Sequence, residues 1–127
     1  VNMDRSRSAD PRHRLGASAE DRAAEYLVAH GYRIVERNAT NRLGEIDLVA
    51  EDGEVLVFVE VRSRSHPDQV HPAATVTRKK QQQIVRTALA WCALHRVRDR
   101  MLRFDVVAVL GPEGAIELYQ NAFEAGR

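Results

Sequence analysis

Glu45 and Asp47 stand two apart in an alternating segment, and Glu60 stands in a second such segment beyond an Asp52-Gly53 pair. Asp-Gly between alternating runs predicts a β-hairpin. With Asp52-Gly53 at its centre, Glu51 lies opposite Glu54, Asp47 opposite Phe58 and Glu45 opposite Glu60. Alternate residues share a face, so Glu45, Asp47, Val49, Leu56, Phe58, Glu60 and Arg62 project from one side. The other side, from Ile46, Leu48 and Ala50 to Val57, Val59 and Val61, is wholly apolar and is expected in the core. In this register Glu60 is diagonal to Asp47 at roughly 7 to 8 Å. Like charges at that separation repel, and a divalent cation between them removes the repulsion. Hard carboxylate oxygens suit Mg²⁺ or Mn²⁺. The competing reading is a solvated sheet end whose acids point into water.

Two helices must flank this hairpin. Ser18 followed by Asp21 resembles a capping box and opens an Ala-rich helix to His30, closed by Gly31. Glu20 shares a stripe with Ala23, Ala24 and Leu27, so it lies on the packing face. Proximity of its charge to the helix dipole accounts for an acid at a helix start, though not for its face. A second helix over Lys79 to His95 aligns Ile84, Ala88, Trp91, Cys92 and His95. Lys80 precedes Ile84 by four and either points inward or snorkels at the rim. Trp91 on that stripe reads as core, and Cys92 as a buried helical thiol.

The remaining elements are a strand over Tyr32 to Asn38, a loop over Thr40 to Leu43, and strands over Met101 to Leu110 and Ala115 to Gln120. His66 to Thr77, with Pro67 and Pro72, reads as a long loop; its His66 and His71 have no acid at metal-ligand spacing. The order α-β-β-β-α-β-β predicts a mixed α/β domain with a central sheet of about five strands flanked by helices. Residues 1–14 read as a flexible arm, 15–123 as one domain and 124–127 as a tail.

The 127 residues carry 19 Lys and Arg against 18 Asp and Glu, a net charge of +1 that at face value argues against a strongly basic nucleic-acid binder. The charge is segregated, however. Residues 44–60 hold six acids and no Lys or Arg, whereas residues 62–103 hold ten bases against Asp68 and Asp99. An acidic spot bordered by Arg64, Arg78, Lys79 and Lys80 suits an enzyme that holds a phosphodiester and a metal together. No apolar run approaches the roughly 20 residues of a membrane span. With no apolar stretch behind a basic N-terminal region, the expected location is cytoplasmic.

Gly44-Glu45-Ile46-Asp47-Leu48-Val49-Ala50 and Phe58-Val59-Glu60-Val61-Arg62, with Gly31-Tyr32, Arg37-Asn38, Arg103-Phe104-Asp105-Val106-Val107 and Asn121-Ala122-Phe123, resemble the YraN family of small bacterial proteins. The resemblance covers about Leu15 to Phe123. That family is similar to Holliday-junction resolvases and to restriction-endonuclease-like PD-(D/E)XK nucleases. The resemblance implies that Asp47, Glu60 and the Val61 carbonyl are metal ligands and that Glu20 is the first-helix acid. It implies metal-assisted hydrolysis of DNA phosphodiesters at branched or structured DNA. Arg62 stands where the superfamily has lysine; it stays protonated and is a poor acceptor of a proton from water.

Three functions compete: a Mg²⁺- or Mn²⁺-dependent DNA endonuclease, a non-catalytic nucleic-acid binding module disabled by Arg62, and a scaffold using the 66–77 loop. A homodimer would suit a substrate with two symmetric strands.

Overall fold

The computed structural model of the chain describes residues 18–64, 75–111 and 114–125. Its elements follow the expected order: α1 (Ala19–Ala29), β1 (Arg33–Asn41), β2 (Gly44–Asp52), β3 (Val55–Arg64), α2 (Arg78–Leu94), β4 (Leu102–Leu110) and β5 (Ile116–Phe123). The expected N-terminal arm, the C-terminal end of the tail, and His66 and His71 lie outside the described residues.

Local chemistry sets the helix ends. The Ser18 hydroxyl accepts from the Asp21 amide at 3.0 Å, which is half of the expected capping box. The Asp21 carboxylate turns instead to Arg37. At the other end the Tyr32 amide bonds the Leu27 carbonyl and the Gly31 amide the Val28 carbonyl, with Gly31 at φ 94; this is a Schellman closure that glycine enters without strain. Thr77 caps α2 in the same manner, accepting from the Lys80 amide at 3.1 Å.

The five strands lie in sequence order, β1-β2-β3-β4-β5. All neighbours are antiparallel except β3 and β4, which run parallel over nine pairs from Leu56↔Leu102 to Arg64↔Leu110. Both faces of the sheet are covered. α2 packs Ile84, Ala88 and Trp91 over Ile46, Val49, Leu56 and Phe58, where the Phe58 ring meets Trp91 edge-on at 5.8 Å. α1 packs Ala23, Ala24 and Leu27 against Leu48, Val57, Val59, Val107 and Val109. Arg22 on α1 reaches across the sheet end and donates to the Gly111 carbonyl at 2.7 Å and to the Gly114 carbonyl.

Four expectations change. The hairpin register is displaced by two residues: Asp52 pairs with Val55 and Leu48 with Val59, so the turn is Gly53-Glu54 and not Asp52-Gly53. Gly53 has φ 62 while Glu54 is not among the positive-φ residues, which matches a II′ turn with glycine first. Alternation also breaks at Asp47, because Ile46 joins the layer of Val49 beneath α2 and not that of Leu48. The break coincides with Asn38 on β1 at φ 52, a left-handed residue opposite it. Thr40 and Asn41 extend β1 rather than forming a loop, and the turn shrinks to Arg42-Leu43, held by the Leu43 amide on the Asn41 side chain at 2.9 Å. Finally, His95 leaves the buried stripe. It caps α2 and stacks on Trp91 at 3.9 Å while half exposed.

One buried polar cluster joins the strands at the turn end. Asp105 is fully buried and accepts from Tyr32 Oη, Arg103 Nε, Arg103 Nη2 and the Asn121 amide, each at 2.9 Å. Burial, countered in part by a bond from Gln120, pushes the Tyr32 hydroxyl up to about 12. Removing one partner of such a pair strands the other in low dielectric, so Asp105→Ala is expected to lower stability by about 3–5 kcal/mol. Urea unfolding checks this, with Tyr32→Phe as the milder comparison.

Candidate metal and phosphodiester site

β2 and β3 part at Asp47. The last bridge pair is Leu48↔Val59, and one step further the register sets Asp47 opposite Glu60, where the sequence placed the two diagonally. There the Val61 amide donates to Asp47 Oδ2 at 2.8 Å in place of a strand carbonyl. The carboxylate thus caps the opening between two strands. Glu60 is buried, an unusual state for a carboxylate. Arg62 Nη1 lies 3.3 Å from Glu60 Oε2, and Arg62 Nη2 donates to the Thr75 carbonyl at 3.3 Å.

The charge environment distinguishes Asp47 from the other acids of the 44–60 stretch. Burial pushes its carboxyl up to about 6; the Val61 amide opposes this, while the charges of Glu60 and Glu45 raise it further and Lys80 lowers it. At the turn end the balance is reversed. Glu51 is held below its ordinary range by Arg100 and Arg33, and Arg103 meets Asp52 at 2.9 Å. The acid-only stretch therefore divides into an end where Glu51 and Asp52 meet arginines and an end where Glu60 has Arg62 but no described side chain forms an ion pair with Asp47.

Glu20 comes to the Asp47 end from α1. It accepts from Asn38 Nδ2 at 3.0 Å and lies 3.6 Å from Arg37 Nη2. Burial raises its carboxyl above the ordinary range despite the Asn38 bond, and the Asp47 charge adds to the rise. Glu20, Asp47, Glu60, Arg62 and Lys80 thus share one end of the sheet. Arg64 lines a cleft of about 390 Å³ beside it with Val61, Arg62, Ser63 and Thr75. Arg78 and Lys79 are exposed at the α2 start.

Among the described residues no three His, Cys, Asp or Glu side chains stand close enough to hold a metal ion. A cation here would draw on Asp47 and Glu60, a main-chain oxygen and water. Two carboxylates with the balance from water and phosphate is a donor set suited to Mg²⁺. Elsewhere Cys92 is buried and its thiol is pushed up by burial, which leaves it inert. No described helix is long and apolar enough to cross a membrane.

Arg37 and Asn38 were not identified as site residues from the sequence, although they bind Glu20 and border Asp47. Asparagine's tolerance of the left-handed region was the available signal at Asn38.

A raised carboxyl makes the sign of a pH effect definite. The folded chain keeps a proton on Asp47 between its unfolded value of 3.8 and about 6, so stability from this group falls as pH rises through that window. Asp47→Asn, which retains an acceptor for the Val61 amide, is expected to be more stable than wild type at pH 7 by about 2 kcal/mol. The gap should close toward pH 4. Urea unfolding of both proteins across pH 4–7 measures it.

Residues 19–109 match the model of a family described as Uncharacterised protein family UPF0102. A UPF0102 protein of Trichlorobacter lovleyi is 46% identical over 114 residues, 87% of this chain and 90% of that protein. One from Symbiobacterium thermophilum is 47% identical over 115 residues, 88% and 98% of the two chains. One from Halorhodospira halophila is 50% identical over 104 residues, 82% and 83%. The matched span takes in α1, the hairpin, α2 and nearly all of β4, and the relatives align over most of their own length, so the chain belongs to UPF0102, the YraN family.

Proposed function

We propose that this protein is a Mg²⁺- or Mn²⁺-dependent endonuclease that hydrolyses DNA phosphodiesters, with branched or structured DNA as its substrate. The observation that supports this most is Asp47 opposite Glu60 at the point where β2 and β3 part, with burial and two neighbouring acids raising Asp47. A cation there, coordinated by Asp47, Glu60 and the Val61 carbonyl, would polarise the phosphate and lower the pKa of water. Asp47 is fixed for this by the Val61 amide, and Glu60 by the pairing of its strand with Val106 of β4. Arg62, always charged, orients the phosphate and balances its charge. Glu20, tethered at Asn38 and Arg37, positions water at the rim. The cytoplasm is the compartment that fits a DNA substrate, and a homodimer would present two such sites to paired strands.

Arg62 also favours a second reading, a nucleic-acid binding module without turnover. Its guanidinium already engages Glu60 and the Thr75 carbonyl and cannot accept a proton from water.

Labelled duplex, single-stranded and four-way junction DNA incubated with Mn²⁺ separate the two. The nuclease reading expects junction cleavage that Asp47→Ala reduces about 100-fold or more. Cleavage of nothing, or equal cleavage by the variant, overturns it; gain of activity only in Arg62→Lys favours the binding module. Mn²⁺ should also raise the thermal midpoint of wild type and leave Asp47→Asn unmoved, since a ligand of the folded state stabilises it.

A further inference from the structure

Arg78, Gln82 and Arg86 are exposed at i, i+4 and i+8 along α2. They line a cleft of about 650 Å³, to which Val85 and Phe123 add apolar surface and Glu124 an acid. Phe123 is buried and stacked on Phe104 at 5.2 Å, so that lining is fixed. Among the described residues no hydrogen bond or ion pair engages Arg78, Gln82 or Arg86.

Several features point to one kind of occupant. α2 carries Arg78, Lys79, Lys80 and Arg86 and no acid, and its first turn leaves the positive end of the helix dipole uncompensated. Successive members of the stripe are about 6 Å apart along the axis, comparable with the separation of successive phosphates in an extended strand. An extended acidic peptide matches that spacing only with acids at alternate positions, about 6.6 Å apart, whereas any nucleic-acid strand carries a charge at every repeat. The cleft starts at Arg78, on the first turn of α2.

We propose that this cleft is a track for a nucleic-acid strand, with Arg78 and Arg86 on its phosphates and Gln82 hydrogen-bonded between them. The track rests on the nuclease reading for its orientation but is tested without turnover. Anisotropy of a labelled single-stranded oligonucleotide is titrated in EDTA against wild type, Arg78→Ala, Arg86→Ala, their double variant and Arg98→Ala. All three arginines are exposed, and alanine is the better helix former on α2, so the fold is retained. Each track variant is expected to weaken binding severalfold, and the double variant to reduce the log–log salt slope by about 1.4, two single-strand phosphates' worth. Arg98→Ala, which removes the same charge beyond α2, should change little.

No binding by wild type, an unchanged double variant, or an equal effect of Arg98→Ala overturns the track. So does equal binding of a polyglutamate peptide at the same salt. Arginine-dependent binding together with absent cleavage would uphold the track while the nuclease reading fell.

Discussion

The parallel pairing of β3 with β4 governs the rest of the architecture. Antiparallel neighbours can be joined by a two-residue turn, but parallel ones require a crossover long enough to return to the same end of the sheet. Residues 65–101 make that crossover and contain α2. The strand that bears Glu60 and Arg62 is therefore followed by a helix whose start must return over the sheet, which brings Lys80 to the end where Asp47 and Glu60 stand. Burial on both faces of β3 then explains its near-continuous apolar run from Val55 to Val61, interrupted only at Glu60.

Asp105 is withdrawn from water fully and Asp47 in part, and the fold treats the two in opposite ways. Asp105 has four donors around it and a guanidinium on one side. Such a fully satisfied group holds strands in place and is closed to any ligand. Asp47 has one amide, two acids in its neighbourhood and a more distant lysine. The same desolvation that the Asp105 cluster offsets is left uncompensated at Asp47. An unbalanced buried charge of this kind is a feature of functional sites.

The element order was legible because alternation, capping residues and glycine placement agree with one another, as at Ser18, Gly31 and the Val55–Val61 run. The register was not. Asp52-Gly53 and Gly53-Glu54 are both acceptable turn centres from composition, and a slip of two residues leaves every side chain on the same face, so alternation cannot choose between them; only the observed pairs, such as Leu48↔Val59 and Asp52↔Val55, do. The kink at Asp47 was hidden as well, since a strict two-residue period contains no sign that Asn38 on the neighbouring strand will adopt a left-handed backbone. The composition of the site was thus readable from the chain, while the direct opposition of Asp47 and Glu60 required the partner strands.

The reach of Arg22 from α1 to the carbonyls of Gly111 and Gly114 spans 89 and 92 residues of sequence. Some apolar partners of α1 are nearly as remote, Val107 and Val109 on β4. A helix of 11 residues is marginal by itself in water. This helix precedes the whole sheet in the chain, yet its packing is complete only once β4 is in place. Folding must wait for β4, and contacts of such high order slow the search. Until then Ala23, Ala24 and Leu27 have only the β2–β3 part of their sheet surface, from Leu48, Val57 and Val59, to cover. The helix that carries Glu20 is thus held in place by strands on both sides of α2 in the chain.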